Sequence, residues 1–154
     1  MPRLLPRPAA HDAEIVGSHD PLASDCYFRL VKLSPGSRIV TQVDGFELIC
    51  VVLSGTVTVK VGSQSFPDVG VRHDVWSGAA DAVYLGTHAQ TDIRTGDTSA
   101  EIALIGGRTS GRFTPFRIFP DEVETVEVGS VETHSHRRIC HILGQNGRGR
   151  AGNL

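Results

Sequence analysis

The chain has 154 residues, of which 40% are hydrophobic and 21% are charged, and its formal net charge is −2. These values are typical of a single globular domain with its own core. The small negative charge argues against a surface that follows nucleic-acid phosphates. No run of about 18 apolar residues could form a membrane-spanning helix. We therefore expect neither a nucleic acid nor a membrane as partner.

The cysteines indicate a reducing compartment. Cys26, Cys50 and Cys140 follow neither a zinc-ribbon nor a CxxC spacing. Cys50 lies in an apolar run, which predicts a small buried hydrophobic residue. Residues 1–15 contain no apolar stretch long enough for the hydrophobic part of a secretion signal. Together these features predict a cytoplasmic protein with reduced thiols.

Short β-strand patterns follow the polar N-terminal segment. Residues 27–33 (YFRLVKL) alternate and end at the turn SPGS, and residues 38–43 (RIVTQV) end at Asp-Gly. Residues 46–53 (FELICVVL) are apolar on both faces, as a central strand would be. Residues 56–61 (TVTVKV) alternate strictly, so every second side chain faces inward. The inward set is Val57, Val59 and Val61, and the outward set is Thr56, Thr58 and Lys60.

Further strands are predicted at residues 82–86, 91–95 and 100–107, with one turn of helix within residues 120–126. No window shows a sustained apolar period of about 3.6 residues, so helical packing is not expected. The pattern predicts an all-β protein in which two antiparallel sheets pack as a sandwich or barrel. The expected buried residues are Phe28, Leu48, Cys50, Val52, Val57, Val59 and Ile102.

Five motifs occur in the order in which one enzyme family carries them. They are the hairpin VLSG, the turn F-x-x-x-G-x-R (Phe66, Gly70, Arg72), the strand VY, the step FPDEV after PFRI, and the strand R-x-I-x-x-I-L. Over about residues 27–154 the sequence resembles bacterial 5-deoxy-glucuronate isomerases of inositol catabolism. These share a family with the ketol-isomerases of pectin-derived uronates. The resemblance implies the cupin double-stranded β-helix, or jelly roll.

The resemblance also implies a longer protein. The family is bicupin, with two jelly rolls in one polypeptide, and histidines and a glutamate hold its catalytic divalent metal in the second. Residues 1–26 would then be an N-terminal segment, residues 27–119 the first jelly roll, and residues 120–154 a connector with the first strand towards the second. The resemblance therefore places the divalent metal in the missing second cupin. It also implies that a sugar-acid substrate is converted only by the intact, two-cupin enzyme. No catalytic residue and no cofactor is assigned to this chain.

The first jelly roll lacks the cupin ligand pattern of Gly, five residues, His-x-His, three or four residues and Glu. Anchored on its glycines, the pattern places Gln42 and Asp44 at the histidine positions. Glu47 comes one residue too early, and alternation turns it to the other face. Thr91 stands where the second motif has its histidine, and His88 falls in the preceding turn. Because a cation needs three or four converging ligands, we predict no metal here.

A weaker metal candidate lies near the C-terminus, in THSHRRICHIL. If this stretch is extended, His134, His136 and Arg138 share one face and His141 points to the other. Arg138 would repel a cation bound by the two histidines, and no Asp or Glu lies at a spacing that completes the site. We interpret these histidines as exposed connector residues, with His134 and His136 kept as the alternative metal ligands.

Two other residue patterns are weaker candidates for a functional site. His73, Asp74 and Ser77 have the residue types of a hydrolase triad, but neighbours in one turn are not expected to face one another. Trp76 and Tyr84 are interpreted as core or interface aromatics rather than a platform for stacking sugars.

The last 34 residues raise the question of oligomerisation. Acidic residues within 121–132 precede basic ones within 137–150, which we interpret as a solvated acidic stretch beside a frayed basic tail. The strand at residues 138–143 (RICHIL) has no partner sheet if the second jelly roll is missing. An unpaired strand exposing Ile139, Ile142 and Leu143 would pair with another copy, so a homo-oligomer is expected.

Two functions are consistent with these residues. The first is the N-terminal cupin of a 5-deoxy-glucuronate isomerase-like protein, inactive without the second cupin. The alternative is a stand-alone, metal-free cupin that serves as a sugar-acid binding or assembly module. The C-terminal strand favours the first, because a one-barrel protein has no use for it.

Overall fold

The computed structural model describes residues 11–88 and 90–154. Within these residues the chain forms antiparallel strands and two single turns of 3-10 helix, at Pro120–Glu122 and Gln145–Gly147. The strands are β1 (Asp12–Val16), β2 (Cys26–Leu33), β3 (Arg38–Thr41), β4 (Phe46–Ser54), β5 (Val57–Val61), β6 (Gln64–Val69), β7 (Asp81–Thr87), β8 (Thr91–Thr95), β9 (Ala100–Arg108), β10 (Phe116–Ile118), β11 (Glu124–Val128) and β12 (Arg137–His141).

Two sheets form the body of the molecule. The larger has six strands in the order β1-β2-β9-β4-β7-β10, and the smaller has four in the order β3-β8-β5-β6. Their facing sides enclose an apolar core to which both sheets contribute. β11 and β12 form a separate two-stranded ribbon. The predicted all-β architecture of two packed antiparallel sheets is therefore confirmed.

β4 and β5 follow the sequence pattern closely. β4 pairs with β9 on one side and β7 on the other, and it is buried continuously from Phe46 to Val52, as expected of a central strand. In β5 the inward valines are at most 2% exposed, whereas Lys60 faces solvent. Gly55 joins the two strands at φ +78°, where a Cβ atom would overlap the Ser99 carbonyl oxygen. Only glycine fits that turn without strain.

Most of the predicted core is confirmed, since six of the seven named side chains are at most 4% exposed. Each buried valine, leucine or isoleucine contributes roughly 1.5–3 kcal/mol relative to an exposed position. Burial raises the pKa of the Cys50 thiol to about 12, so this side chain behaves as the predicted hydrophobic residue. The six confirmed core residues are Leu48, Cys50, Val52, Val57, Val59 and Ile102.

The expectation for Phe28 was wrong by one step of the strand alternation. Tyr27 is 3% exposed and belongs to the core between the sheets, whereas Phe28 lies partly buried on the outer face. Both residues are aromatic, so the local pattern does not set the phase of the alternation; the inward positions of Val31 and Leu33 do. Of the two residues interpreted as core or interface aromatics, Tyr84 is fully buried, whereas Trp76 is 88% exposed and is not a core residue. An interface role for Trp76 stays a prediction.

The outer face of the six-stranded sheet carries a second apolar cluster that includes Ile49, Val51, Tyr84 and Phe116. Side chains from the last residues of the chain pack against this cluster. The expectation of a frayed basic tail was therefore wrong, because that expectation considered only charge, and apolar residues before Arg148 and after Arg150 anchor the segment. Those residues are Ile142, Leu143, Ala151 and Leu154.

The strand β12 was also expected to lack a partner, and this was wrong. β12 pairs with β11 over five residue pairs, from Glu124↔His141 to Val128↔Arg137. Glu127 lies opposite Arg138, so oppositely charged side chains face each other across the ribbon. Of the apolar residues in question, Ile139 is 40% exposed, whereas Ile142 and Leu143 are packed inward. The homo-oligomer thus stays a prediction that has lost its original argument.

The N-terminal segment reaches the edge of the larger sheet. β1 pairs antiparallel with β2, in registers such as Asp12↔Val31 and Glu14↔Arg29. Residues 1–10 lie outside the described part of the chain. Across the described residues, no helix is long and apolar enough to span a membrane.

Candidate functional site

The space between the two sheets, where a cupin would hold a metal, is filled by apolar side chains. Gln42 and Asp44, predicted at the histidine positions, lie instead on the exposed connection between β3 and β4. There the Gln42 Nε2 atom donates a hydrogen bond to the Asp44 Oδ1 atom at 3.0 Å. Their side chains therefore do not enter the barrel, because the turn that carries them begins after β3 has ended.

The other positions of the cupin pattern are no better placed. His88 is exposed in a turn at φ +59°, and Thr91 is buried at the start of β8. Leu48 fills the interior, where the carboxylate of the pattern would be needed. Throughout residues 11–88 and 90–154, no three His, Cys, Asp or Glu side chains are grouped so as to hold a metal ion. The described residues of this barrel therefore offer no donor set for a divalent metal, which the resemblance places in the second jelly roll.

The histidine-rich stretch is a turn rather than an extended strand. His134 has φ +50°, and β12 starts only at Arg137, so His134 and His136 do not line one strand face. His136 Nε2 lies 2.8 Å from Glu127 Oε2, a carboxylate that sequence spacing did not suggest. Because this partner sits on β11, only the ribbon pairing reveals it. Both histidines are exposed, and they belong to no described group of three potential metal ligands.

We expect the purified chain to bind Zn²⁺, Ni²⁺ or Mn²⁺ no more tightly than the micromolar range, since no described group of ligands converges. Elemental analysis after dialysis without chelator measures the metal content of the chain. The double variant His134→Ala/His136→Ala is the control for the histidine turn. About one metal per chain, lost in this variant, would show that the turn is a metal site after all.

His73, Asp74 and Ser77 do not form a catalytic triad. The Ser77 hydroxyl donates to the carbonyl oxygen of Asp74 at 2.9 Å, and it accepts the Asp74 N–H at 3.2 Å. His73 Nε2 lies 3.2 Å from Asp74 Oδ2 and is strongly exposed. Ser77 thus closes a turn, and no contact joins its hydroxyl to the imidazole.

An open polar cleft lies where β1 and β2 approach β3. Its polar groups are paired with one another: Arg29 binds both carboxylate oxygens of Asp12, with the Nε–Oδ1 pair at 2.7 Å, and the Tyr27 hydroxyl donates to Glu14 Oε2 at 3.1 Å. Burial, followed by the Glu14 charge, raises the pKa of Tyr27 to about 12, so the phenol stays protonated. This cleft offers more negative than positive charge, which is the wrong sign for a sugar acid.

The most constrained polar centre is a single carboxylate on the outer face of β4. Glu47 is 0% exposed, and it accepts the Tyr84 hydroxyl and the backbone N–H groups of three consecutive C-terminal residues. The Gly152 N–H lies 2.8 Å from Oε2, and the Leu154 N–H lies 2.9 Å from Oε1. We call Glu47, Tyr84 and the N–H groups of residues 152–154 the Glu47 site. It fastens the end of the chain to the central strand.

The surroundings of the Glu47 site keep its donors in place. Burial, and then the hydrogen bond to Glu47, raise the pKa of Tyr84, so the phenol remains a donor. The Tyr84 ring stacks on Phe116 with ring centres 5.0 Å apart. The Asn153 side chain donates to the Arg108 carbonyl oxygen at 2.8 Å, which holds the segment along β9. The site binds backbone and contains no nucleophile or proton relay, so its arrangement is structural.

Glu47 lies on the face that strand alternation predicts, but its role was not predicted. A signal was present, because a lone carboxylate within a strand that is apolar on both faces must find hydrogen-bond donors when buried. The identity of the donors was not available, since they lie more than a hundred residues further along the chain.

The fold defines the class: a cupin jelly roll whose two sheets enclose an apolar core. An IolB-like protein from Salmonella typhimurium LT2 superposes with a TM-score of 0.78 at 23% identity, over 88% of this chain and 51% of that one. A cupin protein from Bacteroides fragilis gives a TM-score of 0.51 at 14% identity, over 72% and 89% of the two chains. The predicted cupin fold is confirmed.

The chain belongs to the KduI/IolB family, whose sequence model matches residues 4–154. It is similar to the 5-deoxy-glucuronate isomerase of Lacticaseibacillus casei, with 29% identity over 119 residues that cover 77% of this chain and 43% of the relative. The isomerase of Listeria monocytogenes serotype 4a (strain HCC23) is 27% identical over 78 residues, which cover 50% and 29%. The matches thus span less than half the length of these relatives, and the predicted family is confirmed.

Proposed function

We propose that this chain is the N-terminal jelly roll of a 5-deoxy-glucuronate isomerase-like protein of myo-inositol catabolism. Support comes from its family and from its similarity to two isomerases of which it spans less than half. In this proposal residues 27–119 form the first jelly roll, and residues 120–154 lead towards a second. The reaction would be the aldose–ketose isomerisation of a sugar acid by the intact protein.

The apolar barrel interior is the observation that carries this proposal. An aldose–ketose isomerisation moves a proton between adjacent carbons and needs stabilisation of the charge that develops on oxygen. Among the described residues, the apolar core between the sheets holds no group of ligands for a Lewis acid. The buried carboxylate at its edge, Asp81, is already bound by Arg117 and the Gly70 N–H. We therefore propose that the first jelly roll is structural and inactive alone, and that the divalent metal belongs to the second.

A second candidate function is a stand-alone, metal-free cupin that binds a sugar acid or supports an assembly. It is favoured by the C-terminal segment, which packs on the outer sheet face of its own barrel and is held by the Glu47 site.

We also propose a cytoplasmic location, because all three cysteines are free thiols.

Activity assays separate the two functions. We expect no conversion of 5-deoxy-glucuronate by the 154-residue chain, with or without added Mn²⁺ or Zn²⁺, because the described residues form no metal site. The Lacticaseibacillus casei isomerase, assayed in parallel, is the positive control. Metal-dependent turnover by this chain would show that its own barrel holds the active site. Binding of the sugar acid without turnover would favour the stand-alone module.

A further inference from the structure

A second cleft lies on the outer side of the barrel, between residues 112–116 and the C-terminal segment. Its volume is about 320 Å³, and its walls include Arg112, Phe113, Phe116, Gly149 and Arg150. This volume is at the lower end of the range for small-molecule sites, which starts at about 300 Å³. The cleft is separate from the barrel interior and from the polar cleft near β1.

Arg150 is held in this cleft by an aromatic stack. Its guanidinium carbon lies 3.7 Å from the centre of the Phe116 ring, which itself stacks on Tyr84 of the Glu47 site. The Nη1 atom of Arg150 makes a long hydrogen bond of 3.4 Å to the Asn146 carbonyl oxygen. A guanidinium held over a ring face by cation–π attraction keeps its N–H donors available for other acceptors. The stack therefore orients Arg150 without using most of its donors.

The second cation, Arg112, has no ion pair within the described part of the chain, and neither has Arg150. Other arginines here are neutralised, as Arg29 is by Asp12, Arg38 by Asp92 and Arg117 by Asp81. No Asp or Glu is among the described residues that line this cleft. Two unneutralised guanidinium groups in one small concavity attract an anion.

We propose that Arg112 and Arg150 form a binding site for the carboxylate of a small organic acid. A guanidinium matches a planar carboxylate through two parallel N–H donors, which gives charge-assisted hydrogen bonds. Phe113 supplies an apolar wall for the carbon skeleton of the ligand. The site goes beyond the proposed isomerase function, because binding here requires neither a metal nor a second jelly roll.

The test uses the 154-residue chain and D-glucuronate as the probe, with D-glucose as the neutral control. Binding is followed by NMR titration of the backbone amides and the arginine Nε–H groups. We expect D-glucuronate, but not D-glucose, to shift the signals of Arg112, Gly149 and Arg150. Arg112→Gln and Arg150→Gln should each weaken binding about tenfold or more, as expected for the loss of a hydrogen bond between charged groups.

Two further variants separate a built site from general charge. Arg150→Lys keeps the charge but loses the planar donors, so it should also weaken binding several-fold. Arg148→Gln removes a neighbouring charge that lines a different cleft and should leave binding unchanged. The proposal is overturned if D-glucuronate does not bind, if D-glucose binds equally well, or if Arg148→Gln weakens binding as much as Arg150→Gln. Because no turnover is measured, these outcomes do not depend on the isomerase proposal.

Discussion

Replacing Asp81 by alanine is expected to lower the free energy of unfolding by about 3–5 kcal/mol, the usual cost of removing one partner of a buried ion pair. Asp81 is 1% exposed, and its carboxylate accepts Arg117 Nε at 3.0 Å, Arg117 Nη2 at 2.7 Å and the Gly70 N–H at 2.9 Å. Arg117 also donates to the carbonyl oxygens of Pro67 and Asp68. Alanine would leave this mostly buried cation without its counter-charge.

Urea unfolding followed by circular dichroism measures this loss. Lys32→Gln is the matched control, because Lys32 forms an exposed pair with Glu101 at 3.7 Å. Exposed pairs contribute about 0–1 kcal/mol, so this variant should unfold almost as the parent does. A loss for Asp81→Ala that is no larger than the loss for Lys32→Gln would show that the Asp81–Arg117 pair does not hold β7, β10 and the end of β6 together.

Replacing Glu47 by glutamine should release the C-terminal segment from the outer sheet face. Glutamine keeps one acceptor oxygen and replaces the other by a donor, so it cannot accept the Gly152 N–H on one atom and the N–H groups of Asn153 and Leu154 on the other, as the carboxylate does. Hydrogen bonds to a charged group contribute roughly 1.5–3 kcal/mol each, but the released N–H groups would bind water instead. We therefore expect a net loss of about 2–3 kcal/mol of unfolding free energy.

Hydrogen exchange of the backbone amides gives the local test. In Glu47→Gln the amides of Gly152, Asn153 and Leu154 should lose protection while those of β4 and β9 keep theirs. Glu14→Gln is the control, because the Glu14 carboxylate accepts one tyrosine hydroxyl, that of Tyr27. Its expected cost is about 1 kcal/mol, without a change at the C-terminus. Unchanged protection at residues 152–154 in Glu47→Gln would contradict the role of the Glu47 site.

Much of the barrel follows from local patterns. Strict alternation in β5 predicts its buried valines, and the continuous apolar run of β4 predicts a strand buried on both faces. The glycine between them marks a turn that no other residue fits without strain. The phase of β2 was misjudged, because Tyr27 and Phe28 are both aromatic and the choice between them depends on which face meets the opposite sheet.

The sequence by itself determined the strands, most of the inner core and the family, because alternation and turn glycines are properties of neighbouring residues and the family motifs are read in order. Only the tertiary structure decided the partners of the buried and charged side chains. Glu47 meets N–H groups 105–107 positions away, Asp81 meets Arg117 36 positions away, and His136 meets Glu127 across the ribbon. A buried charge requires a partner, which the sequence can reveal. Which partner it finds depends on how the sheets pack and where the chain returns, and local periodicity holds no information about either.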